Sequence, residues 1–203
     1  MSSSETAQVF ASELFFRARM LIGFVVALWF LGLVNIALLG KSLNTLGIRP
    51  RTVSGLAGIL LAPLLHGSVK HLLGNTSAFL ILGGLLLLEG VETFWIVTAI
   101  ATLTGGLGIW LLGGKNTNHI GASGIIFGYL GFLILRGYFT REIFSTLISL
   151  LVFLYYGSLL WRILPLGGRF SWEGHLFGFL GGALTARFLE TIRASLPENF
   201  LWE

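Results

Sequence analysis

The 203-residue chain contains no cysteine, which excludes disulfides, a thiolate nucleophile and any metal site built on thiolates. Charge is scarce. Only 11% of residues are Asp, Glu, Lys or Arg, less than half the roughly 25% of soluble domains, too few to clothe a water-facing surface. The net charge of +4 comes from scattered basic residues, and without a run of one sign there is no footprint for nucleic acid. The histidines have no carboxylate among them and their spacing places no three on one element, so neither a metal nor another cofactor is expected. No internal repeat suggests the inverted halves of many transporters.

What the chain has is apolar length. Hydrophobic residues make up 55% of it and the mean hydropathy is +0.87, the marks of an integral membrane protein in contact with the lipid bilayer. The length allows about six spans of ~20 residues with their connections and leaves no room for a second domain. The expected fold is an all-α bundle of six transmembrane helices, because helices satisfy their own backbone groups in lipid. Residues 1–18 read as a short polar N-terminal segment, 19–193 as one six-helix membrane domain and 194–203 as a C-terminal tail. The polar start, Met1 to Gln8, lacks a basic n-region, and the apolar run after Arg17 and Arg19 is too long for a signal peptide, so it reads as a retained span.

The spans are expected at Met20 to Leu39, Ser68 to Leu88, Glu92 to Leu112, Ala122 to Leu135, Ile143 to Trp161 and Trp172 to Leu189. Between the first two, Leu56 to Leu65 is apolar but too short to cross, which suggests a re-entrant or interfacial segment. The fourth span, at about 14 residues or ~21 Å, falls short of a hydrocarbon core of ~30 Å. With Arg136 and Arg141 anchoring its far end, the Ser123 end is expected to be sunken. Glu89 and Glu92 read as solvated at the opposite face from Ser123. Lys and Arg divide 6 to 7 between the two sides, so the positive-inside rule does not orient the chain.

Span parity places the beginnings of spans two, four and six on one face, and the polar residues that bear chemistry fall there: His71 and Asn75, Ser123, and His175. Serine becomes a nucleophile when a base takes its proton, and neutral imidazole suits that task near pH 7. Ser123 and His175 can form such a dyad. His71 and Asn75, four apart on one helix face, can join the free Ser123 backbone N–H as donors to an oxyanion. Each residue alone has a plainer reading: Ser123 as a helix N-cap, His71 or Asn75 as a bond to a neighbouring helix, His119 as a solvated or capping group, Lys70 as an interfacial cation. His175 inside a span is costly, so a functional role stands beside the structural one for it even alone. Gly124 and Gly128, with His175, Gly178 and Gly182 along one face, permit close helix packing.

These residues resemble the rhomboid family of intramembrane serine proteases. The resemblance rests on His66-x4-His71-x3-Asn75, on Gly121-Ala122-Ser123-Gly124 and on Gly174-His175-x2-Gly178-x3-Gly182, in that order, and extends from Leu56 to Leu189. It implies a six-helix rhomboid-like bundle with a re-entrant first loop and a water-filled cavity. It further implies Ser123 as nucleophile, His175 as general base, and an oxyanion hole of His71, Asn75 and the Ser123 N–H. Gly121, Gly124, Phe127, Gly178, Gly182 and His66 would support the site. Residues 19–193 would form the protease domain, acting through an acyl-enzyme on transmembrane protein substrates, with no cofactor. Two features depart from the family. The Trp-Arg pair of the first connection is absent, with Ala57-Gly58 near its place, and Phe127 stands where a tyrosine is frequent; it can stack on His175 without donating a hydrogen bond. The rival readings are a proteolytically inactive binder of transmembrane helices and a transporter or channel lined by His and Ser. A prokaryotic plasma membrane is the expected location, and the oligomeric state has no signature.

Overall fold

In the computed structural model, which describes residues 3–167 and 170–197, these residues form seven α-helices and no β-strand. The helices are α1 (Ser3–Ala37), α2 (Val53–Leu61), α3 (Val69–Leu88), α4 (Val91–Leu112), α5 (Ser123–Thr140), α6 (Ile143–Tyr156) and α7 (Trp172–Ser195). Five of them, α1, α3, α4, α5 and α6 with its 3-10 continuation, are long and apolar enough to cross a membrane. The sixth long helix, α7, has 24 residues but is diluted by glycine, Glu173 and His175. These face protein, where lipid does not set the composition.

Helix α1 runs unbroken from Ser3, so no structural break falls at residue 18. Its 35 residues extend about 52 Å at 1.5 Å per residue, well beyond a hydrocarbon core of about 30 Å. It leans on α3, where Trp29 Nε1 donates to Thr76 Oγ1 at 2.9 Å and Arg17 donates to the Leu87 carbonyl at 3.1 Å.

The connection between α1 and α3 folds back on the bundle. Thr52 caps α2, its hydroxyl accepting from Gly55 N, and Pro63 lies in the 3-10 turn Ala62–Leu64 that ends this short unit. In place of a Trp-Arg pair, the anchors come from other residues. Arg51 donates to the Leu111 and Gly113 carbonyls, each at 2.7 Å, and Trp110 Nε1 donates to Thr52 O at 2.8 Å. Ile48 and His119 exchange main-chain hydrogen bonds in both directions at 2.9 Å.

Helix α5 is longer than the sequence suggests. It spans 18 residues, about 27 Å, so the sunken-end expectation drawn from a short fourth span loses its basis. Arg136 is no terminal anchor; its side chain is 14% exposed and pairs with Glu89 at 3.1 Å. Glu89, expected to be solvated, is equally buried and also accepts from Ser145 Oγ. Glu92 pairs with Arg193 at 3.2 Å. Helix α5 ends at Arg141, which adopts the left-handed conformation with φ 59°.

The centre of the molecule is the contact between α5 and α7, and it is made by backbone. A Cβ on Gly178 would land on the Gly124 carbonyl oxygen, and one on Gly182 would land on that of Gly128, 2.7 Å from its carbonyl carbon and 2.9 Å from Phe132 N. One level further, Gly131 lies against the Phe179 carbonyl. Small residues are what allow helices to meet this closely. Around this seam Leu82, Phe94, Val97, Leu130 and Phe132 are fully or almost fully buried. Gly182→Leu must separate the two helices, since main chain cannot yield as a side chain does. It is expected to destabilise the protein by about 1–3 kcal/mol or more, read as a lowered thermal midpoint in detergent, whereas the lipid-side Leu184→Ala is expected to be near neutral.

Candidate active site

The amino ends of α3, α5 and α7 meet at one end of the bundle. There His175 Nε2 and Ser123 Oγ lie 3.0 Å apart. His175 Nδ1 is 3.1 Å from the Arg162 carbonyl, and a carbonyl can only accept, so Nδ1 carries the hydrogen. In the neutral ring this leaves Nε2 as an acceptor for the Ser123 hydroxyl. The imidazole is 3% exposed and lies flat on Phe127, with centroids 4.1 Å apart and planes 6° from parallel. Phe170 flanks the same ring and carries the Arg162 guanidinium 4.5 Å above its face.

Ser123 is the first residue of α5. The preceding Ala122 offers no side-chain cap, so the first-turn N–H groups, Ser123 N–H among them, have no helical carbonyl before them and no cap to claim them. Gly121 turns the chain into this helix with φ +112°, and its N–H donates to Ala62 O at 2.8 Å. A side chain here has no room, because a Cβ would lie 2.6 Å from His71 Cε1 and 2.8 Å from its Nε2.

His71 and Asn75 occupy one face of α3, which Ser68 starts by accepting from His71 N at 3.2 Å. Asn75 Nδ2 is 2.9 Å from His66 Nε2 and 3.3 Å from His71 Nε2. His66 is fully buried, and burial, with the neighbouring His71, pushes its pKa down to about 4. A neutral His66 accepts one amide hydrogen of Asn75, and His71 Nε2 accepts the other across the longer contact. His66 thus braces Asn75, in addition to closing the loop before α3.

The candidate site residues His66, His71, Asn75, Gly121, Ser123, Phe127 and His175 lie in this cluster, and Gly124, Gly178 and Gly182 lie in the α5–α7 seam beneath it. Others were passed over. His119, read as solvated or capping, is half-buried; its Nδ1 meets Ser171 Oγ and its Nε2 is 2.6 Å from Thr117 Oγ1. Burial lowers its pKa, with nearby Glu173 opposing. Glu173 is 7% exposed in the first turn of α7. A signal existed: His119 stands four residues before Ser123, and Ser171 four before His175. A cavity of about 30 Å³ lies beside Ser123, bordered by Thr102, Gly105, His119, Gly121 and Ser171, room enough for a water.

Fold and site together define an all-helical integral membrane protein with a serine hydroxyl on a buried imidazole. The chain belongs to the rhomboid family: the Rhomboid domain model matches residues 53–191, which encloses all of these site residues. It is 40% identical over 196 residues to an uncharacterized protein of Mycobacterium tuberculosis, covering 90% of this chain and 80% of that protein. A Mycobacterium leprae protein, likewise uncharacterized, is 38% identical over 196 residues, covering 90% and 76%. A Bacillus subtilis protein, YdcA, provisionally named a rhomboid protease, is 32% identical over 127 residues, covering 60% of this chain and 61% of its own.

The Gly121 geometry gives a direct test. Gly121→Ala is expected to lose about 1–3 kcal/mol through its backbone dihedral, with a further loss from the clash with His71, measured by thermal unfolding in detergent. In a His71→Ala background the same substitution should cost less, because the clashing ring is gone.

Proposed function

We propose that this rhomboid protein is an intramembrane serine endopeptidase of a bacterial plasma membrane, cutting transmembrane segments of other proteins through an acyl-enzyme on Ser123. The observation that carries this reading is the 3.0 Å contact of Ser123 Oγ with His175 Nε2. It occurs in a ring whose other nitrogen is held by the Arg162 carbonyl. The chain contains no aspartate, and the role of orienting the imidazole falls to this main-chain oxygen and to the face of Phe127.

In the proposed mechanism, Ser123 Oγ attacks the scissile carbonyl carbon while His175 Nε2 takes its proton. The carbonyl oxygen becomes an oxyanion and receives hydrogen bonds from Ser123 N–H, from the Asn75 amide hydrogen that it draws away from the 3.3 Å contact with His71 Nε2, and from a ring N–H of His71. Collapse breaks the C–N bond, and His175 returns its proton to the departing amine, leaving an ester on Ser123. Water, for which the cavity beside Ser123 has room, then gives its proton to His175 and attacks the ester; collapse breaks the bond to Ser123 Oγ, which takes the proton back from His175 as the acid product leaves. A helical substrate hides its carbonyls in its own hydrogen bonds, so segments that unwind readily are the expected substrates. The sixth crossing in this reading is α7, and α2 with its 3-10 turn forms the re-entrant element.

Ser123→Ala and His175→Ala are expected to abolish cleavage of a model transmembrane substrate in proteoliposomes while the protein still inserts. Ser123 is expected to react with a fluorophosphonate, and the Ser123→Ala protein is not. Cleavage at the wild-type rate in either variant overturns the dyad; failure of the wild type both to label and to cleave favours the inactive helix-binding reading. His71→Ala and Asn75→Ala are each expected to lower turnover by roughly 10²- to 10³-fold.

A further inference from the structure

The proposed nucleophile and base sit on different helices, and the dyad needs their two starting points held in register. The α5–α7 glycine seam sets the distance between helix axes, but it lies below the site and does not fix the loops that lead into each helix. Above it stands a second contact between the same two segments. His119, four residues before Ser123, meets Ser171, four residues before His175, through Nδ1 and Oγ.

The direction of this contact follows from its neighbours. Thr117 Oγ1 is 2.7 Å from the Gly114 carbonyl, which can only accept, so the Thr117 proton is spent there. Thr117 must then accept from His119 Nε2–H at 2.6 Å. That leaves His119 Nδ1 as a lone pair, and Ser171 O–H donates to it. The result is one directed chain: Ser171 hydroxyl to His119, His119 to Thr117, Thr117 to the Gly114 carbonyl.

Both partners of the His119–Ser171 contact are fixed to the frame. His119 is held through its own backbone, which exchanges hydrogen bonds with Ile48 at 2.9 Å each way. Ser171 precedes α7, and its carbonyl accepts from His175 N at 3.1 Å; its side chain caps nothing in its own helix. A serine at such a position would ordinarily turn back to cap the first turn. Here its hydroxyl is committed to the loop that precedes the nucleophile.

We infer that His119 is a positioning residue for the Ser123–His175 pair, acting through the Ser171 hydroxyl to hold the start of α7 against the loop that delivers Ser123. This rests on the reading of Ser123 and His175 as nucleophile and base, and it adds a residue to which that reading gave no part. His119 touches neither reacting atom. Its effect is on geometry, so it belongs to kcat rather than to substrate binding.

The side chain supplies its own controls. In histidine, Nδ1 lies at the distance from the backbone reached by the Asn amide, and Nε2 at that reached by the Gln amide. His119→Asn therefore retains a partner for Ser171, and His119→Leu retains none. The experiment measures kcat and KM for a model transmembrane substrate in proteoliposomes for wild type, His119→Leu, His119→Asn, Ser171→Ala and the double variant His119→Leu/Ser171→Ala. Fluorophosphonate labelling and thermal midpoint are followed in parallel. His119→Leu and Ser171→Ala are each expected to lower kcat by roughly 10- to 100-fold with KM little changed. The double variant should be no worse than the poorer single one, and Asn should recover most of the loss. Independent, multiplying losses, a wild-type kcat in Ser171→Ala, or equal failure of Asn and Leu each overturn the inference. A His119→Leu protein that does not fold leaves the decision to Ser171→Ala and His119→Asn, which keep the fold's apolar packing intact. Failure of the underlying reading looks different: Ser123→Ala would then cleave as wild type does, whatever the His119 variants did.

Discussion

The contact on which the rest of the structure depends is backbone against backbone, where glycines of α7 rest on carbonyl oxygens of α5. Gly178 on Gly124 and Gly182 on Gly128 leave no side chain between the two helices. In lipid, where apolar side chains gain little by leaving their surroundings, close packing is what holds helices together. The same packing makes the site's geometry stiff. A distance set by side chains can relax through rotamers, whereas one set by main chain cannot, so the serine and the imidazole come within hydrogen-bond reach as the bundle assembles. The ordering cost of bringing the two side chains together is met in folding.

Around that seam each polar group has a place that its neighbours dictate. The Arg162 carbonyl selects the His175 tautomer, Phe127 fixes the plane of its ring, and His66 takes one hydrogen of Asn75 so that the other is turned to His71. Buried polar groups in an apolar protein are costly unless satisfied. Here the partners that satisfy them also orient them, so stability and preorganisation draw on the same hydrogen bonds. Gly121 shows the limit of this economy, for its backbone dihedral and its lack of a side chain are both needed to let α5 begin beside His71.

Much of this was legible because the sequence is so apolar. In a chain with little charge, a histidine inside a span or a serine among glycines stands out, and counting spans is enough to place His71, Asn75, Ser123 and His175 on one face. What escaped was whatever depends on a partner far away in the chain. Arg136 reads as the end of a helix until Glu89 is seen beside it, 47 residues earlier, and α5 is then free to continue to Thr140. His119 reads as a loop residue until Ser171 is found 52 residues on. Helix α7 shows the converse: its glycines and Glu173 make it weakly apolar because its neighbours are other helices, a property that composition registers without explaining.

The ion pairs give the bundle two unlike ends. Glu89, Arg136, Ser145, Glu92, Glu190 and Arg193 knit the ends of α3, α5 and α7 to the starts of α4 and α6, all at the face remote from Ser123. Partly exposed charges, which salt screens, hold the remote end, whereas backbone contacts and neutral hydrogen bonds hold the end that carries the serine.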